Sequence, residues 1–287
     1  MASLEGAPIR LGRILYSNVW PVFHYFPEQQ FAGRVDIATQ VPSGLNKAMK
    51  NGTIDLGPMS SFAYGENAEH YMLMPDLSVS ANGPVHSILL FHQKPLEQIV
   101  DGTIALPTTS ATSVNLLKIL LQTYGGGKPQ YFDAEPDLPS MMARADAALL
   151  IGDDAIRASW SDSGYHVTDL GELWKEATGE WMTFAVWGVR RQAVREQEAL
   201  ITELHQAFLE SKRKGRQDVT PIIQAAVERI GGRPSYWQMY FDKLSHDFGL
   251  EQQRGLQRYF DEAWALGLLS HRVQMELWNT TTSRVNK

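Results

Sequence analysis

Asp146-Ala147-Ala148-Leu149-Leu150-Ile151-Gly152-Asp153 decides the fold class. An unbroken apolar run bounded by an acidic residue and a Gly-Asp pair predicts a strand buried on both faces, as in parallel sheets covered by helices. Working outward, residues 103–106 predict a strand that leads through Pro107-Thr108-Thr109-Ser110-Ala111-Thr112-Ser113 into a helix over 114–124. Gly125-Gly126-Gly127 stops that helix. A short strand at Tyr131-Phe132, a short helix over 140–144 and an apolar strand over 183–189 complete the middle of the chain.

The first third repeats the scheme. Residues 9–15 alternate as a strand ending at Tyr16-Ser17-Asn18, and Pro21 opens a helix with Val22, Phe23 and Phe26 on its apolar face. A strand over 36–41 leads to Pro42-Ser43 and an amphipathic helix, with Ser43 as its N-cap candidate. A short strand over 53–56 has Pro58-Met59-Ser60-Ser61 at its carboxyl end, followed by a helix over 61–71. Strands over 77–80 and 87–91 flank Gly83-Pro84. From Gln192 onward the pattern is helical, over 194–211, 219–230, 234–244 and 251–268. Alternating strands and helices imply an α/β protein with largely parallel sheets. Two such units and a helical tail predict two lobes with a ligand cleft between them, the C-terminal helices packing on the first. The expected limits are 1–92 plus 190–287 for lobe 1 and 93–189 for lobe 2, with crossings near 92–101 and 186–190.

Composition narrows the function classes. At 287 residues the chain exceeds one average domain, and 44% hydrophobic with 20% charged residues is ordinary for a globular protein. A formal net charge of -6 gives no reason to expect nucleic-acid binding. With no cysteine, thiolate catalysis, Fe–S clusters and disulfides are excluded. Residues 1–13 lack the apolar core of a signal peptide and no stretch is apolar enough to span a membrane, so a cytoplasmic location is expected.

Loops at strand carboxyl ends are where such folds bind ligands. Here they carry Ser17-Asn18, Ser43, Ser60-Ser61, Ser87, Ser110-Ala111-Thr112-Ser113 and Gly152-Asp153. These are small and mostly neutral, and serines that open helices suit an anion held by hydroxyls and free N–H groups. The same residues serve equally as helix caps or turn formers. No Gly-x-Ser-x-Gly elbow surrounds any serine, no metal-ligand spacing links the eight histidines, and no glycine pattern forms a P-loop or dinucleotide fingerprint. Neither a metal nor a cofactor is expected. Trp160, Trp174, Trp181 and Trp187 offer walls for a ring-binding cleft, although tryptophans so placed are more often core.

Several segments, in this order, resemble one family: Tyr16-Ser17-Asn18-x-x-Pro21, Val41-Pro42-Ser43-x-Leu45-Asn46, Gly52-x-Ile54-Asp55-Leu56-Gly57-Pro58-Met59-Ser60-Ser61, and Gly83-Pro84-Val85-x-Ser87-Ile88. Ser110-x-Thr112-Ser113, residues 146–153, Asp169-Leu170-Gly171-x-x-Trp174 and Phe184-Ala185-Val186-Trp187 continue the series. Their order and spacing are similar to the menaquinone-biosynthesis MqnA group, the chorismate dehydratases of the futalosine pathway. Glu180-Trp181-Met182 departs from the Pro-containing, more apolar pattern expected there.

The resemblance implies a type II periplasmic-binding-protein-like fold and a hydro-lyase that converts chorismate to 3-[(1-carboxyvinyl)oxy]benzoate and water. It implies Asn18 and Ser87 as catalytic residues, with Ser43, Ser60, Ser61, Ser110, Thr112, Ser113, Gly152 and Asp153 around the substrate. The implied partner is a small molecule, with neither nucleic acid nor membrane, and a homodimer is allowed. Two other readings share the scaffold. One is a solute-binding protein for a small carboxylate, against which the absent export signal counts. The other is the sister dihydroxynaphthoate-forming enzyme, which would favour a His where Gly152-Asp153 stands.

Overall fold

The computed structural model describes residues 7–279. The chain starts with β1 (Ile9–Ile14), α1 (Trp20–Phe23), β2 (Val35–Gln40), α2 (Pro42–Lys50), β3 (Leu56–Ser60), α3 (Ser61–Glu66) and β4 (Tyr71–Ala81). It continues with β5 (Ile88–His92), β6 (Thr103–Pro107), α4 (Ala111–Ile119), β7 (Gln130–Ala134), α5 (Leu138–Met142), β8 (Ala147–Ile151), α6 (Gly152–Ser159), β9 (His166–Asp169) and α7 (Leu170–Thr178). Then follow β10 (Met182–Arg190), α8 (Arg191–Gln217), α9 (Thr220–Arg229), α10 (Pro234–Lys243) and α11 (Leu250–Ala265).

Two five-stranded sheets result, ordered β2-β1-β3-β10-β4 and β7-β6-β8-β5-β9. In the first, β1 runs parallel to β2 and β3, and in the second, β6 runs parallel to β7 and β8. The expected α/β architecture is present, and its antiparallel exceptions have one cause. β10 runs antiparallel to both of its neighbours in the first sheet, and β5 does so in the second. Each is the strand that arrives from the other lobe. The change of sheet therefore falls at 82–87 and at 179–181, ahead of the crossings expected near 92–101 and 186–190. β5 and β10 are apolar strands that would suit either sheet, so pattern alone assigns each to the lobe it leaves.

Local chemistry explains the elements. β8 is wholly buried between β5 and β6, as its unbroken apolar run requires. Ser60 caps α3 by accepting from the Ala63 N–H, and Ser110 caps α4 by accepting from the Ser113 N–H. α4 runs on through a π-type turn (Leu120–Tyr124) to the three glycines. Asp169 caps α7 and also accepts from the Val85 and His86 N–H groups, fixing the first crossing. The return crossing lies against α11, where a Cβ on Gly255 would stand 2.1 Å from the Trp181 carbonyl oxygen. Only a glycine permits that approach.

Three local expectations change. Ser43 is not an N-cap: Pro42 takes the first turn of α2 and Val41 the cap position, with no side-chain bond. β3 begins at Leu56, where the expected strand ended, and includes Pro58, which stands opposite Trp187 of β10. The stretch 152–178, unassigned from sequence, holds α6, β9 and α7. Trp174 and Trp187 are fully buried core residues, and Trp160 packs edge-on against Trp237. Among the described residues, no helix is long and apolar enough to cross a membrane.

Candidate functional site

The carboxyl ends of β1, β3, β6 and β8 converge on the cleft between the sheets, where open α/β folds bind ligands. A small cavity of about 40 Å³ lies there. The first lobe supplies Tyr16 and Asn18 from the segment after β1, Pro42 from the first turn of α2, Ser60 from β3 and Phe184 from β10. The second supplies Ser87 and Ile88 at the start of β5, Ser110 and Ser113 at the start of α4, and Gly152 after β8. Among the described residues, none with a charged side chain lines it. Apolar walls and a few neutral polar groups are the usual make-up of a small-molecule site.

The structure separates the sequence-predicted residues into two groups. Asn18, Ser60, Ser87, Ser110, Ser113 and Gly152 line the cavity; Ser43, Ser61, Thr112 and Asp153 do not. Ser43 sits within the first turn of α2, next to Pro42. The Ser61 hydroxyl donates to the Thr183 carbonyl at 2.8 Å, and Thr112 Oγ1 accepts from the Phe62 N–H at 3.0 Å. Both hydroxyls are fully buried in these roles.

Asp153 points away from the cavity toward Ser17, whose hydroxyl donates to it at 2.6 Å and whose N–H donates at 3.2 Å. This pair ties α6 of one lobe to the loop after β1 of the other. Burial pushes the Asp153 carboxyl pKa up, against the pull of the Ser17 bonds. Gly152 has φ +60, and a Cβ there would stand 2.8 Å from the Tyr16 ring. The glycine lets Tyr16 lie across the lobe boundary, where it and Ile14 also line a wider outer groove with Arg13, Arg157 and Arg229.

The six cavity residues differ in how they are held. Ser60 Oγ accepts from Asn46 Nδ2 at 3.0 Å and from the Ala63 N–H at 3.3 Å. Ser110 Oγ donates to Ser113 Oγ at 3.1 Å, and Ser87 Oγ donates to the Val85 carbonyl at 3.3 Å. The buried Asn18 Oδ1 has no hydrogen-bond partner among the described residues. A buried acceptor left unpaired costs about 1–3 kcal/mol, which a ligand hydroxyl bonding to it would recover. The N-terminus of α4 adds partial positive charge beside Ser110 and Ser113. The arrangement can therefore hold carboxylates through hydroxyls and amides while offering no obvious protein base.

Sequence reasoning missed two neighbours of this site. His246 donates from Nε2 to the Asn18 carbonyl at 2.7 Å, and Tyr240 is fully buried with Ser87 and Ser17 as its neighbouring hydroxyls. Both belong to the helical tail, where nothing in the local pattern separates them from ordinary core residues.

Known proteins resemble this chain in sequence and in fold. A family described as menaquinone biosynthesis matches residues 9–265. A chorismate dehydratase of Thermus thermophilus is 33% identical over 276 residues, covering 91% of this chain and 96% of that protein. Among solved structures, a protein of Archaeoglobus fulgidus superimposes with a TM-score of 0.75 at 17% identity, covering 92% of this chain and 99% of its own. The periplasmic aliphatic sulphonate binding protein SsuA of Escherichia coli does so with a TM-score of 0.68 at 18% identity, covering 96% and 93%. The likeness to SsuA shows a periplasmic-binding-protein-like fold.

Proposed function

This chain belongs to the menaquinone-biosynthesis family, and from that premise we propose that it is a chorismate dehydratase, forming 3-[(1-carboxyvinyl)oxy]benzoate and water. The observation that carries the reading is a cavity lined by neutral donors without a charged side chain, in a chain similar along most of its length to an enzyme of that name. Chorismate is a dianion with a ring carboxylate, an enolpyruvyl carboxylate and a C4 hydroxyl. The hydroxyls of Ser60, Ser110 and Ser113, with the first turn of α4, suit its carboxylates.

Dehydration removes the C3 proton and expels the C4 hydroxyl. The electron pair left by the C3–H bond becomes the new C3–C4 double bond and completes the aromatic ring, while the proton and hydroxide leave as water. Charge developing at C3 spreads through the ring into the carboxylate, so donors aimed at that carboxylate lower the barrier. The substrate's own enolpyruvyl carboxylate takes the proton, and the enzyme's contribution is to fix that group over C3. Asn18 accepts from the C4 hydroxyl and Ser87 donates to it as it departs. Aromatisation supplies the driving force, so the reaction proceeds without a cofactor. The setting proposed is cytoplasmic menaquinone biosynthesis.

Incubation of the purified protein with chorismate, followed by chromatography and mass spectrometry, tests this. The expected outcome is an aromatic enolpyruvyl benzoate with stoichiometric loss of chorismate. Tight binding of unchanged chorismate would overturn the enzyme and favour a solute-binding protein.

A further inference from the structure

We propose that His246, in the C-terminal region, is a positioning residue that sets the orientation of Asn18 in the cavity, a role that rests on the dehydratase reading above. The link between α10 and α11 is clamped onto the edge of the first sheet. Ser245 and Ser80 exchange two backbone hydrogen bonds of 2.8 Å, and the Ser78 N–H donates to the His246 carbonyl at 3.1 Å. One residue further on, Asp247 accepts from Lys212 at 2.8 Å and from Arg216 at 2.5 Å. The imidazole between these anchors is buried, and its Nε2 lies 2.7 Å from the Asn18 carbonyl oxygen.

A carbonyl carries no proton, so Nε2 must be the protonated nitrogen and the donor. Burial, with the nearby Lys212 and Arg216 cations, holds the ring neutral and pushes its pKa down to about 4. The bond therefore persists as a neutral donor across the working range of pH. Its target lies in the short turn Ser17–Val19, whose neighbour Ser17 is fixed by Asp153. That turn is thus held from two sides, by α6 at Ser17 and by the C-terminal region at Asn18. The unpaired Oδ1 of Asn18 is aimed by this double hold and not by any bond of its own. An error of about 1 Å in such a group is enough to cost a hundredfold in rate.

The experiment compares His246→Leu and His246→Gln with the wild type by chorismate turnover, with thermal melting as the check on folding. Glutamine carries an N–H donor at nearly the reach of Nε2, and leucine carries none. His246→Leu should lower kcat by about tenfold or more with little change in KM, and His246→Gln should restore most of it. In an Asn18→Ala background the leucine change should add no further loss. Equal impairment of both folded His246 variants would overturn the proposal, as would a leucine effect undiminished in the Asn18→Ala background. Should the leucine variant not fold, His246→Asn, whose donor falls short of the carbonyl, must show the kcat loss; wild-type kcat in that variant overturns the role. A wild type inactive on chorismate overturns the function itself and this inference with it.

Discussion

The two walls of the cavity carry similar side chains but are built differently. On the first lobe, the Asn18 backbone is held by His246 from a segment far along the chain, and Ser60 accepts from Asn46 and from its own helix. On the second lobe, Ser110 and Ser113 bond each other, and Ser87 donates to a carbonyl two residues away at 3.3 Å. Long local bonds are weak and easily exchanged for a charged acceptor. One wall is therefore set before the ligand arrives, and the other can turn its hydroxyls to meet it. Each wall thereby brings one partner to the departing hydroxyl, Asn18 from the fixed wall and Ser87 from the adjustable one.

Removal of the fixed group should have the largest effect. Asn18→Ala should lower kcat by about a hundredfold to a thousandfold, the range for deleting one pre-aimed polar group at a reacting centre. Its melting temperature should hold or rise, because the deleted oxygen has no partner. Steady-state kinetics and a thermal melt decide the matter. Near-wild-type kcat would take Asn18 out of the chemistry and leave the rigid wall without a function.

Acid attacks the brace itself. His246 has a folded pKa of about 4 against an ordinary value of 6.5, so between these the unfolded chain binds a proton that the folded chain refuses. The stability tied to this group is present above pH 6.5 and is lost as pH falls through 4, a change on the order of 3 kcal/mol. His92 and His205 are lowered by burial too and act in the same direction. Asp153, raised by burial, acts in the opposite one, since its protonation favours the folded state. Denaturant melts across this range should show stability falling with pH, with a smaller slope in His246→Gln. An unchanged slope in that variant would mean that the brace does not titrate as its burial requires.

How far this was legible in the sequence follows from what each signal depends on. The buried strand at Ala147–Ile151 could be read because five apolar residues between polar limits admit few other structures. The crossings could not, since β5 and β10 are apolar in whichever sheet they lie, and only pairing decides. The helix-opening hydroxyls were found as a set but not sorted. Ser60 and Ser61 look alike in sequence, yet Ser61 bonds Thr183, a partner 122 residues away. His246 and Tyr240 reach the site from a tail whose helical periodicity says only that it packs.

The smallest expected effect tests that sorting within a single helical turn. Ser113 lines the cavity, while the adjacent Thr112 turns its hydroxyl to the Phe62 N–H. Ser113→Ala should raise the KM for chorismate by about tenfold with kcat little changed, as loss of one hydrogen bond to a carboxylate predicts. Thr112→Ala should instead lower stability by about 1 kcal/mol, because it leaves a buried N–H without its acceptor. Its effect on KM should be smaller than that of Ser113→Ala. The two alanine variants, compared by initial rates and denaturant melts, separate a hydroxyl that binds substrate from one that joins α4 to α3 of the other lobe. If both raised KM equally, the hydroxyls of the second wall would act through lobe closure, and direct contact with the carboxylate would lose its support.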